Sequence, residues 1–186
     1  DIENIKILDV GCGGGIICEP LARLGANVTG IDFAPNNISA AKIHSKKNKL
    51  KINYINKDVE KSKLDGKFDL ILMFEVLEHL DDWKKTIKKI KKNLNKNGII
   101  IISTINRNSL SKLFAISIAE NILKWIPKGT HDYNKLIKPE ELKKTLTKEK
   151  LQFKNIKGLV FNPLNGEWKL SENYMINYFC TASLIN

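Results

Sequence analysis

Apolar residues fall in short blocks whose spacing alternates between that of strands and that of helices. The first block, residues 5–10, ends in Gly11-Cys12-Gly13-Gly14-Gly15. Ile16, Ile17, Pro20, Leu21 and Leu24 then recur at helical spacing, and Gly25 closes the helix. A second strand is predicted at residues 27–31, stopping at Asp32, and a second helix from Pro35 to Lys47. Residues 52–55 and 68–74 have strand length and are separated by the polar stretch 58–67. Residues 81–94 are amphipathic, with Trp83, Ile87, Ile90 and Leu94 on one side, lysines opposite and Gly98 as the stop signal. The four isoleucines 99–102 are too uniformly apolar for a half-exposed strand and predict one buried on both faces, as in a parallel sheet.

This alternation predicts a single α/β domain over residues 1–186, a Rossmann-like doubly wound sheet with right-handed crossovers. Helices are expected at 110–126 and 139–147. The tail holds two strand-like stretches, 153–161 and 174–184, joined by the turn-rich Asn162-Pro163-Leu164-Asn165-Gly166, and predicts an antiparallel pair added to a parallel sheet.

The length of 186 residues suits one domain, and 42% hydrophobic with 27% charged residues is a globular composition. No apolar run reaches the roughly 18 to 20 residues of a spanning helix. The formal charge of +11 invites a polyanion partner, yet Arg23 and Arg107 are the only arginines, so the excess reads first as a solvated lysine surface. Cys12, Cys18 and Cys180 are odd in number with no CxxC pair, against a disulfide framework or zinc knuckle and in favour of a reducing cytoplasm. The chain starts at Asp1 with a strand almost at once, the look of a sequence missing its beginning.

A glycine turn between a first strand and its helix lets backbone N–H groups approach a ligand, and the helix N-terminus favours an anionic group. Asp32 ends the second strand, where a carboxylate can accept both hydroxyls of a ribose. The alternative is a tight turn with Asp32 as a helix cap. GxxxxGK[ST] is absent, which disfavours a nucleoside triphosphate, and Ile16 stands where a dinucleotide fold needs its third small residue. After the fourth strand comes Phe74-Glu75-Val76-Leu77-Glu78-His79. A helical turn there would bring Glu75, Glu78 and His79 to one side, a donor set for Mg²⁺ with Mn²⁺ or Zn²⁺ as competitors.

Leu8-Asp9-Val10-Gly11-Cys12-Gly13-Gly14-Gly15 resembles the first motif of class I S-adenosylmethionine-dependent methyltransferases. Ser103 to Asn108, Lys128-Gly129-Thr130-His131-Asp132, Lys138-Pro139-Glu140-Glu141-Leu142 and Trp168-Lys169-Leu170 extend the likeness to the ubiquinone-biosynthesis O-methyltransferase family. That resemblance implies about seven strands with one reversed near the C-terminal edge, and methyl transfer to a hydroxyl of a polyprenylated catechol-type ring. It implies that Gly11 and Gly13 border the methionine part of the cofactor, Asp32 the ribose and Asp58 the adenine amine, with Phe74 lining the cleft. It also implies that Glu75, Glu78 and His79 bind metal, Mg²⁺ first, and that a segment of several dozen residues precedes the first strand.

On a helical projection of 110–126, Phe114, Ile118, Ile122 and Trp125 belong to one wide apolar face interrupted by Lys112. This reads either as a core helix or as a lid lying in a membrane interface. The second fits a prenylated substrate and an anionic membrane surface met from the cytoplasmic side, with other ubiquinone-biosynthesis proteins as further partners. The proton acceptor is His79 or His131. Rival readings are a nucleic-acid methyltransferase, against which Phe74-Glu75-Val76-Leu77 lacks the Asn/Asp-Pro-Pro-aromatic pattern, and a non-catalytic subunit.

Overall fold

The computed structural model describes residues 2–112, 132–162 and 166–185. The expected residue His131, and all of the 110–126 segment after Lys112, lie outside them. One eight-stranded sheet runs in the order β3-β2-β1-β4-β5-β8-β6-β7. Its strands are β1 (Lys6–Val10), β2 (Asn27–Asp32), β3 (Asn53–Asn56), β4 (Phe68–Phe74), β5 (Leu94–Ile105), β6 (Leu151–Asn162), β7 (Glu167–Ser171) and β8 (Asn177–Leu184). β1 to β5 pair in parallel, whereas β8 is antiparallel to both β5 and β6. The fold is therefore the mostly parallel Rossmann-like sheet expected, with a reversed strand between β5 and β6.

The pleat assigns alternate residues to two apolar layers. Ile7 and Leu72 face a layer built with Ile38 and Ala41 of α2 (Pro35–Lys47) and Cys18 of α1 (Cys18–Arg23). Leu8, Val10, Ile71 and Met73 face the other, with Ile87 and Ile90 of α3 (Trp83–Ile90). A single turn, α4 (Ser109–Ser111), follows β5, and Leu142 and Leu146 of α5 (Pro139–Lys148) complete the second layer.

Three expectations change. α3 ends at Ile90 and passes through a 3-10 turn, Lys91–Asn93, into β5, so Gly98 is no helix stop. It lies where the pairing of β4 with β5 slips from Phe68↔Leu94 to Leu70↔Ile99, and a Cβ there would come within 3.0 Å of Phe68 O. Of the four isoleucines, Ile100 and Ile102 are fully buried but Ile99 is 45% exposed, since it alternates with them onto the opposite face of the sheet. The tail contains three strands rather than two. Trp168 and Leu170 lie on β7, an edge strand that pairs with β6 through Phe161↔Trp168 and Leu159↔Leu170. Among the described residues no helix is long and apolar enough to cross a membrane.

Candidate active site

β1 sits at the centre of the parallel part, flanked by β2 and β4, so the crossovers leave it in opposite directions and a crevice opens at the strands' carboxyl ends. A cleft of about 300 Å³ lies there. Val10 and Gly11 after β1, Ile31 to Phe33 after β2, Lys57 to Lys61 after β3, and Glu75, Val76 and His79 to Asp81 after β4 line it.

Two glycines show why the turn after β1 has its composition. Gly11 has φ +73°, and a Cβ on it would lie 2.4 Å from Val76 Cγ2, across the floor of the cleft. Gly15, at φ +86°, lies over the Tyr54 hydroxyl at a distance that a Cβ would cut to 2.1 Å. Asp32 holds this turn against β2. Its Oδ2 accepts the Gly13 N–H at 2.9 Å, while Oδ1 accepts the Ala34 N–H at 2.8 Å and the Asn37 amide at 3.3 Å. The cap reading and the ligand reading of Asp32 are thus compatible. A carboxylate offers about four acceptor sites, so capacity is left for a hydroxyl from the cleft.

Asp58 also lines the cleft, but its Oδ1 is engaged by the N–H groups of Glu60 and Lys61, at 2.8 and 3.3 Å. Burial alone would raise its pKa, yet these bonds and the Lys61 ammonium hold it below the usual carboxylate value. Phe74 is not among the lining residues. Its ring meets Phe179 edge-on at 5.4 Å between centroids, because the two residues flank Ser103 in register on the neighbouring strands β4 and β8.

After Phe74 the backbone does not enter a helix at once. Glu75 takes φ +52°, a left-handed conformation rare outside glycine, and only residues 77–79 form a 3-10 turn. Glu75 and His79 consequently stand exposed at the cleft, whereas Glu78 points inward and is 3% exposed. The Ser103 hydroxyl donates to Glu75 Oε1 at 2.7 Å, and the Thr104 hydroxyl to Glu78 Oε2 at 3.0 Å. Glu78 Oε1 is buried with no hydrogen-bond partner among the described residues. Burial first, and then the neighbouring Glu75 charge, push the Glu78 carboxyl far above the ordinary carboxylate range, so it is held neutral around pH 7. A neutral Glu78 can turn its O–H toward Glu75, which accounts for the orphaned oxygen.

The expected three-ligand metal site is not assembled. Among the described residues no group of three or more His, Cys, Asp or Glu side chains is placed to hold a metal ion. The left-handed Glu75 and the 3-10 turn stand where the spacing implied a regular helix.

Sequence reasoning passed over Asp9, 3% exposed beneath the glycine turn, whose Oδ2 accepts the Cys18 thiol at 3.1 Å. Burial lifts its pKa to about 6, against the Cys18 bond and with help from the Asp32 charge. Ser103 and Thr104 have no separate role in the sequence motif, although a polar pair directly after four isoleucines marks them.

The methyltransferase-domain family model matches residues 1–157. The ubiquinone biosynthesis O-methyltransferase of Rickettsia typhi is 48% identical over 179 residues, covering 96% of this chain and 73% of that protein. Its counterpart in Pelagibacter ubique is 49% identical over 177 residues, covering 95% and 74%. Among solved structures, the magnesium protoporphyrin IX methyltransferase of Synechocystis with bound S-adenosylhomocysteine superposes with a TM-score of 0.72 at 18% identity, over all of this chain and 76% of that one. An S-adenosylmethionine-dependent methyltransferase of Clostridium acetobutylicum gives 0.74 at 16% identity, over 97% and 84%.

Proposed function

The chain belongs to the ubiquinone biosynthesis O-methyltransferases, a family of S-adenosylmethionine-dependent enzymes, and from that premise we propose that it methylates a phenolic hydroxyl of a polyprenylated catechol-type ring. The observation that carries the proposal is one cleft in which Gly11 and Asp32 form one wall and Glu75 and His79 the other. S-Adenosylmethionine supplies a methyl group already activated on a sulfonium. The chain's own residues therefore have to align donor and acceptor and remove a proton.

Gly11 and Gly13 border the methionine part of the cofactor, and among the described residues no heavy atom outside the adjoining ones lies within 4 Å of where a Gly13 Cβ would be. Asp32 receives the ribose hydroxyls, and the Asp58 turn borders the adenine. His79, exposed at the cleft, takes the phenolic proton as the oxygen attacks the methyl carbon in line with the breaking carbon–sulfur bond. Glu75, anchored by Ser103, stands on the same wall of the cleft as His79. Glu75, Glu78 and His79 would be the residues to hold Mg²⁺, but among the described residues no three such side chains are placed together for an ion, so the arrangement does not fit it.

The lysine-rich surface suits a peripheral position on the inner face of an anionic membrane, from which a prenylated substrate would be drawn. Incubation with labelled S-adenosylmethionine and a short-chain prenylated catechol tests the assignment. Methylated phenol is the expected product, and its absence while the cofactor binds would overturn the substrate assignment. Loss of turnover in EDTA, restored by Mg²⁺, would show that the carboxyl pair reopens around an ion.

A further inference from the structure

Two loops face each other across the cofactor cleft, residues 57–61 after β3 and residues 75–81 after β4. One side chain ties them together. Glu60 accepts the Asp81 N–H on Oε2 at 3.0 Å and the Asp82 N–H on Oε1 at 2.8 Å. Both donors precede the first turn of α3, where the helix leaves N–H groups without intrahelical partners and favours a negative charge. The same loop is gripped a second time from α3 by Lys89, whose ammonium donates to the carbonyls of Val59 and Glu60 at 2.8 and 3.1 Å.

We propose that Glu60 is a positioning residue that sets the width of the cofactor cleft by clamping the β3 loop to the start of α3. Each carboxylate oxygen takes one backbone N–H, so the clamp fixes both the distance and the tilt of the second wall relative to the first. Leu80 and Asp81, which line the cleft, are placed through the bond to Asp81 itself. Asp58 is placed from the other end of the loop, because its side chain caps the N–H of Glu60. The clamp thus acts on cofactor affinity, while the carboxyl pair of the β4 turn keeps its own anchors on Ser103 and Thr104.

The reading rests on the cleft as the S-adenosylmethionine site but not on the identity of the methyl acceptor. Calorimetric titration of the full chain with S-adenosylhomocysteine is the direct test, with steady-state kinetics on any accepted phenol as its companion. Glu60→Ala loses both bonds and is expected to weaken binding about tenfold, with a matching rise in KM for the methyl donor and kcat at saturation within about twofold of the parent. Glu60→Gln keeps an acceptor oxygen for one N–H and is expected to fall between the two. It also serves if the alanine variant does not fold. Parental affinity in Glu60→Ala, or in Glu60→Gln where the alanine form is not recovered, would overturn the clamp. So would a loss confined to kcat. If the parent itself takes up no S-adenosylhomocysteine, the cofactor site fails, and the clamp's purpose with it. A parent that binds cofactor but methylates no phenol refutes the substrate assignment and leaves the titration decisive.

Discussion

Substituting Gly15 by alanine sets a local backbone demand against a packing demand at one atom. At φ +86° the backbone is left-handed, which costs a residue with a Cβ about 1–2 kcal/mol. The new methyl would lie 2.1 Å from Tyr54 Oη, 3.0 Å from Cζ and 3.4 Å from Cε1. The ring has little room to retreat. It is 4% exposed, and a Cβ at Gly30 would likewise meet its edge at 2.9 Å. Overpacking of this kind costs about 1–3 kcal/mol, so Gly15→Ala should lose roughly 2–5 kcal/mol of a stability that is typically about 5–15. Tyr54→Phe removes the nearest atom, a hydroxyl buried without a hydrogen-bond partner among the described residues, and should by itself be neutral or stabilising by up to about 1 kcal/mol. In the double variant the contact part of the loss should largely return, leaving the backbone part. Urea unfolding of the four proteins measures this as a coupling energy of about 1–3 kcal/mol. Strict additivity, or a Gly15→Ala protein as stable as its parent, would refute the reasoning.

Asp32→Ala removes the acceptor of the Gly13, Ala34 and Asn37 donors, and S-adenosylhomocysteine titration should show affinity lower by about tenfold or more. Asp9 is protonated more readily folded than unfolded. Its contribution is therefore fully present below pH 3.8 and is lost as pH rises through about 6, amounting to about 3 kcal/mol at most. Asp9→Asn keeps an acceptor for Cys18 and should flatten the thermal-melting profile across that window, so an unchanged slope would sink the assignment. Asn93 is 7% exposed and its amide donates to the carbonyls of Leu64 and Gly66 at 3.1 and 2.8 Å. Asn93→Leu should destabilise by about 2–4 kcal/mol in denaturant titration, with cofactor affinity per folded molecule unchanged.

Local pattern was enough for the alternation of strand and helix, since apolar residues at periods near two and near 3.6 report which surfaces must be buried. It was enough also for the glycine turn after β1 and for Asp32 after β2, because a left-handed turn and a strand-end carboxylate are demands made by a few adjacent residues. The Trp168 segment shows no strand pattern of its own beyond the turn-rich connection, and its strand forms by pairing with β6. Packing alone decided that Glu78 turns inward to Thr104, that Phe74 meets Phe179, and that Glu60 reaches the N-terminus of α3, since each partner is 21 or more positions away along the chain. The carboxyl and histidine motif shows the limit most directly. Its spacing predicts three donors on one helical face, but a left-handed Glu75 and a 3-10 turn replace the helix. Burial then makes Glu78 a neutral acid, a property that depends on what surrounds the side chain and that no spacing along the sequence carries.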